Sequence, residues 1–207
     1  MFLLGIDWSG FENFDQAVFE FAEKLKCGFL DYFLGAISWL GDVAIPWFVL
    51  AIVLLFFKKT RKLGFLIALS VGIASLINTV ILKDVFQRLR PYNYEWTNNF
   101  VFNDEFYRPP FLHIPKSWSF PSGHTASAIA PAFVIWYYKK YKFGIPAMIF
   151  ALLTAFSRIY VHDHYPTDVL FGIVTGIISG IVCVIIGNLI FDKLIPHIKK
   201  KREGKKA

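Results

Sequence analysis

Apolar residues along this chain gather into runs too long and too continuous for an ordinary soluble core. Leu63–Leu82 carries no charged side chain over the roughly 20 residues that a helix needs to cross hydrocarbon. Ser122–Tyr138, Phe143–Tyr160 and Val169–Phe191 repeat that pattern with few charges, and Pro131 predicts a kink in the first of these three. Val43–Phe57 is shorter at 15 residues, and extends back through Gly41 and Asp42 or forward to Lys59. Phe11–Lys26 differs in kind. Phe14, Val18, Phe21 and Leu25 recur three and four residues apart, with Asp15, Glu20, Glu23 and Lys24 between them, the period of an amphipathic helix. It either lies in the membrane interface, continuing through Phe29–Leu40 as a shallow or re-entrant piece, or packs on the bundle. The pattern predicts an all-α integral membrane helical bundle of about five to six transmembrane helices plus an N-terminal amphipathic helix. The chain divides into an N-terminal segment at 1–42, a transmembrane domain at 43–192 and a basic tail at 193–207.

The polar positions give this bundle a direction. Lys58, Lys59, Arg61 and Lys62 form one basic turn, Lys139, Lys140 and Lys142 a second, and the tail after Lys199 is basic throughout. With all three on the cytoplasmic side, the five runs alternate without conflict. Three other polar clusters then fall together on the opposite side: Lys83 with Arg90, Ser122 with His124, and Arg158 with His164 and Asp168. Charged groups at span ends are expensive unless they work at a membrane surface or in a water-filled cavity. The long loop Pro91–Ser119, rich in aromatic residues, is either a lid for lipid entry or a segment resting at headgroup level.

Composition sharpens the picture. Hydrophobic residues make up 56% of the chain, above the 45–50% or so of soluble domains, and the mean hydropathy is +0.49. The net charge of +7 is accounted for by turns and tail, so it implies membrane orientation and no nucleic-acid partner. Cys27 and Cys183 form neither a disulfide framework nor a metal-binding pair. Met1–Gly10 lacks the basic start of a cleavable signal, so the spans direct insertion. Gly172, Gly176 and Gly180 recur every four residues, a packing seam for a neighbouring helix.

The clusters carry a particular chemistry. Lys83 and Arg90, seven residues apart, share one face of a helix two turns from each other and clamp an anion, or else snorkel to the interface. Pro121-Ser122-Gly123-His124 reads as a helix start with Ser122 as cap, free N–H groups for phosphate and His124 in the first turn. Pro166 fits the first position of another helix, which puts Asp168 where its carboxylate reaches back to His164. An imidazole so oriented is a competent nucleophile toward phosphorus, with His124 as acid for the leaving oxygen and Arg158 as a neutralising cation. No carboxylate cluster suited to Mg²⁺ or Ca²⁺ accompanies them, and the cationic surroundings argue against zinc on the histidines.

Lys83-x6-Arg90-Pro91, Pro121-Ser122-Gly123-His124 and Ser157-Arg158-x5-His164-x3-Asp168 together resemble the three-part signature of the type 2 phosphatidic acid phosphatase (PAP2) superfamily. The resemblance implies that His164 forms a phosphohistidine assisted by Asp168 and that His124 protonates the leaving group. Lys83, Arg90, Ser122, Gly123 and Arg158 then hold the phosphate, with no metal and no cofactor. It implies a phosphorylated membrane lipid as substrate: lipid A 1-phosphate, undecaprenyl diphosphate, phosphatidylglycerol phosphate or phosphatidic acid. The small size and basic tail suit a bacterial inner membrane, with the site facing the periplasm. The alternatives are a lipid phosphotransferase and a non-catalytic phospholipid binder or transporter. Two departures stand out: His162 replaces a glycine usual in the family, and the first of six spans is replaced by the amphipathic segment. The sequence leaves the oligomeric state open.

Overall fold

A computed structural model describes residues 7–41, 44–91, 111–112 and 116–198, and among them there is no strand. Six helical elements follow in chain order: α1 (Ser9–Lys24), α2 (Gly28–Gly41), α3 (Ile45–Phe56), α4 (Arg61–Phe86), α5 (Gly123–Tyr160) and α6 (Pro166–Ile198). Helices α4, α5 and α6 are each long and apolar enough to cross a membrane. Helices α2 and α3 meet that test only as a pair, bent by 54°. The segment read as shallow or re-entrant and the short run at Val43–Phe57 thus form a bent pair with the geometry of a broken span or a re-entrant loop.

A straight helix of the 38 residues of α5 would reach about 57 Å, yet its two ends lie side by side. Lys140 breaks it with φ 49° and ψ −134°, and the second limb returns antiparallel to the first. Gly144 lets the limbs touch, since a Cβ there would lie 2.7 Å from Trp136 Cα. Helical backbone angles continue through Pro131, so the sharp break belongs to the basic turn. Helix α6 runs beside the first limb in the same direction and antiparallel to α4. Hydrogen bonds from Thr175 to Asn78 at one level and from Lys62 to Asp192 at another fix that pairing. The wide-turned stretch Leu76–Leu82 inside α4 ends at Lys83.

Leu66, Ile67, Val71, Ile129, Val134, Ala151 and Cys183 fill the centre. The outer faces are apolar as well: Phe48, Val49, Ile52 and Val53 on α3, and Leu170, Val174, Ile178 and Ile185 on α6, are all exposed. That distribution suits a hydrocarbon solvent, in which an exposed Leu costs nothing.

Helix α1 packs on the bundle through Phe19 and Ala22, which meet Ala155, Ile159, Tyr165 and Val169. Asp15 and two phenylalanines depart from the usual rule. Phe14 (45% exposed) and Phe21 (56%) face away, while Asp15 (0%) points inward. The periodicity located the helix, but its buried side combines Asp15 with Phe19 and Ala22, while Glu20, Glu23 and Lys24 are exposed alongside Phe14 and Phe21. Most of the aromatic loop (92–110 and 113–115) and the basic tail from 199 lie outside the described residues, and the two readings of the loop with them.

Candidate active site

Helix α5 ends at Tyr160 and α6 begins at Pro166, and the five residues between them are almost fully buried. The turn folds around one carbonyl: the N–H groups of Asp163 (3.0 Å) and His164 (3.2 Å) both donate to Arg158 O. His162 makes the bend with φ 54°, a left-handed conformation that glycine adopts most readily.

Pro166 in the first turn leaves Asp168 free to reach back, and its Oδ2 accepts the Tyr165 N–H at 3.0 Å. The same oxygen accepts the Ser119 hydroxyl and lies 3.6 Å from His164 Nδ1. Ser119 Oγ is itself 3.5 Å from that nitrogen. Asp168 and Ser119 therefore face one edge of the imidazole, and the opposite nitrogen, Nε2, points toward Arg90 Nη1 at 3.3 Å. His164 has no exposed surface. Burial, reinforced by Arg90 and Lys83, holds its pKa well below the ordinary histidine value, so the ring is neutral at pH 7.

Lys83 and Arg90 do meet, though not along a helix. Helix α4 stops at Phe86, Gln87 is left-handed, and Arg88–Arg90 run without helical structure. The two cations converge instead on Ser117, whose Oγ accepts from Lys83 Nζ (3.0 Å) and Arg90 Nη2 (3.1 Å). Arg90 is clamped further by its Nε to Ser117 O and its Nη1 to Asp163 O, both 2.7 Å. Its fork is therefore held in one plane beside His164 Nε2, an arrangement suited to phosphate oxygens.

The start of α5 closes the site. Ser122 Oγ accepts the Thr125 N–H at 3.4 Å and the Thr125 hydroxyl at 2.9 Å, and the Ser122 N–H donates to Asp168 O at 3.0 Å. That last bond fixes the N-terminus of α5 to the first turn of α6. Gly123 packs so closely on α4 that a Cβ would lie 2.7 Å from Thr79 Oγ1. His124 is half-buried, with its ring centroid 6.4 Å from that of His164.

Arg158, expected among the phosphate contacts, pairs here with Asp163 Oδ2 and with the Ser38 hydroxyl. His162 lies behind the turn, its ring 4.8 Å from that of Phe19 and its Nε2 3.2 Å from Glu23 Oε1, both on α1. Burial, with Lys26 nearby, lowers its pKa to about 3. Sequence reasoning missed Ser117 and Ser119, which sit in the non-periodic loop, and gave no role to Arg88 or Asp15. The end of the bundle thus buries Lys83, Arg88, Arg90 and Arg158 against Asp15, Asp163 and Asp168. Among the described residues, the basic groups buried there outnumber the carboxylates, a setting suited to a phosphate.

A model of the PAP2 superfamily matches residues 59–191. An undecaprenyl-diphosphatase of Bacillus subtilis is 34% identical over 82% of this chain and 79% of its own length. An undecaprenyl-diphosphatase of Sulfolobus acidocaldarius is 33% identical over 63% of this chain, and the match spans 58% of that protein. Among solved structures, a transmembrane PAP2-type phosphatidylglycerolphosphate phosphatase from Bacillus subtilis superposes with a TM-score of 0.66 at 28% identity, over 84% of each chain. LpxE of Aquifex aeolicus gives 0.64 at 26% identity, over 89% of this chain and 99% of that one.

Proposed function

This chain belongs to the PAP2 superfamily, and we propose that it hydrolyses a phosphomonoester or diphosphate on a membrane lipid with His164 as the nucleophile. The observation that carries the reading is the two-sided setting of that imidazole. One nitrogen is turned to Asp168 and Ser119; the other opens toward a clamped guanidinium.

The lone pair of neutral His164 Nε2 attacks phosphorus while the bond from phosphorus to the lipid oxygen breaks. His124, protonated, gives its proton to that oxygen, and the lipid alcohol or monophosphate departs. Asp168 supports the positive charge that develops on His164. Lys83, Arg90, Ser122, Gly123 and Arg158 are the groups we assign to the phosphoryl oxygens. Water then attacks the phosphohistidine, its proton passes to His124, the bond from nitrogen to phosphorus breaks and inorganic phosphate leaves. No step as drawn uses a metal.

We take the basic turns to be cytoplasmic, which puts the site at the outer face of a bacterial inner membrane. The substrate we favour is a prenyl diphosphate, as the names of two relatives suggest. Phosphatidylglycerol phosphate, phosphatidic acid and lipid A 1-phosphate are the other members of the panel. The test is phosphate release in detergent with EDTA present, for wild type and His164→Ala, across those four lipids. Release by wild type alone is expected, fastest on undecaprenyl diphosphate. No release from any lipid by folded protein would overturn the reading in favour of a phospholipid binder or transporter. Transfer of phosphate to a second lipid in place of water would reassign the reaction to a phosphotransferase.

A further inference from the structure

The oxygen of Asp168 that faces away from His164 is held by a residue with no role so far. Arg88 Nη1 donates to Asp168 Oδ1 at 2.7 Å and to Thr167 Oγ1 at 2.7 Å, and its Nη2 donates to Asp15 Oδ2 at 2.9 Å. Asp15 comes from α1, far away in sequence, and it also accepts the Thr167 N–H and hydroxyl, both at 2.9 Å. The guanidinium lies 3.8 Å from the centroid of the Tyr165 ring and 4.5 Å from that of Trp8. Arg88 is 6% exposed, and the two carboxylates are fully buried.

We propose that Arg88 and Asp15 are positioning residues for phosphoryl transfer, a relay through which α1 holds the Asp168 carboxylate against His164. The inference rests on the reading of His164 as nucleophile and adds a working part to that site. Three features separate it from a simple structural salt bridge. First, the chain of contacts is continuous, from Asp15 through Arg88 and Asp168 to the imidazole. Second, a guanidinium is a planar fork: with one arm on Asp15 and the other on Asp168, the two carboxylates cannot rotate independently. Third, the Tyr165 and Trp8 rings pack on the guanidinium and restrict the plane of that fork. A buried carboxylate left without its partner is strongly destabilised, so Asp168 depends on Arg88 for its setting. Arg88 itself contacts Asp168, Asp15, Thr167 and the rings; the groups assigned to the phosphate are Lys83, Arg90, Ser122, Gly123 and Arg158.

The relay is tested in the full chain in detergent with Arg88→Met, Arg88→Lys, Asp15→Asn and the double variant Asp15→Asn/Arg88→Met, beside wild type and His164→Ala. The readouts are kcat, KM, inhibition by vanadate and melting temperature. We expect Arg88→Met to lower kcat about 100-fold, the scale of a small misplacement of a catalytic group, with KM within a few-fold of wild type and inhibition by vanadate, which mimics the pentavalent phosphorus, weakened along with kcat. Arg88→Lys restores part of the loss, because it keeps the charge and loses the fork. Asp15→Asn lowers kcat less, about 10-fold, and the double variant is no worse than Arg88→Met alone, as for two members of one chain. Should Arg88→Met fail to accumulate, the charge-conserving Arg88→Lys and the isosteric Asp15→Asn carry the test. Unchanged kcat in those two, with wild type active, overturns the relay and leaves His164 in place. So does a loss of kcat in those two with vanadate inhibition unchanged. Wild type inactive on every lipid instead overturns the reading beneath it.

Discussion

The first turn of α6 and the turns that follow obey opposite rules, though they belong to one helix. In the first turn Thr167 and Asp168 are buried polar groups, tied to Arg88, Asp15, Ser119 and the α5 N-terminus. Further along, Gly172, Gly176 and Gly180 press against the first limb of α5, with no room for a Cβ at any of the three. The first region is costly to bury and, in the reaction we propose, orients the reacting groups. The second is cheap to bury and supplies rigidity, because small residues let helix backbones approach closely where apolar burial gives no drive in lipid. Activity should therefore be lost at one end without stability, and stability at the other without chemistry.

The largest break comes at the polar end. His164→Ala should abolish turnover, a loss of at least about 10⁴-fold, while the melting temperature in detergent stays near that of wild type. An equal fall in both would merge the two regions into one. His124→Ala comes next, at about 10²–10⁴-fold in kcat. Its deficit should shrink for a diphosphate, whose leaving group needs less protonation than the alkoxide of a monoester. Equal deficits on the two substrate types would remove His124 from the role of acid.

The seam gives the reverse result. A Cβ at Gly176 would lie 2.8 Å from Ile129 Cβ and 3.0 Å from Ala126 O. Gly176→Ala should therefore cost about 1–3 kcal/mol of stability, read as a lower melting temperature, with kcat per folded molecule within a few-fold of wild type. A large fall in kcat without a fall in stability would show that the seam transmits to the site.

The smallest effect is expected at His162. Its folded pKa of about 3 lies below the unfolded value of 6.5, so the unfolded chain takes up its proton first on acidification. The contribution of a neutral His162 is thus complete above about pH 6.5 and is lost as the pH falls toward 3. His164, displaced in the same direction, adds to the slope. His162→Asn should flatten the stability profile in that window by at most about 1.4 kcal/mol per pH unit and leave kcat at pH 7 within a few-fold. Loss of activity as complete as that of His164→Ala would put His162 in the reaction.

What the sequence made legible follows from the same contrast. Apolar runs of span length, basic turns and three polar clusters at span ends were enough to define the bundle and to group Lys83, Arg90, His124, His164 and Asp168. The joining geometry was not legible. Lys83 and Arg90 were expected on one helical face, but Gln87 ends the helix in a left-handed conformation, which periodicity does not register. Asp15 looked like the wet side of an amphipathic helix. Glu20, Glu23 and Lys24 do face out, but the Asp15 carboxylate turns inward to Arg88. Arg88 and Ser119 sit outside regular helix, where no repeat marks a residue as special. The bend between α2 and α3 was hidden because neither half alone has span length.

The central claim is a covalent bond between phosphorus and His164, and trapping that bond tests it most directly. Wild-type protein mixed with phosphate-labelled lipid and quenched within one turnover should carry label that survives alkali and is released by acid, as a phosphoramidate does. The labelled peptide should contain His164, and His164→Ala should carry none. Label that survives acid, or that maps to a serine or to His124, would contradict the account, as would active wild type that never becomes labelled.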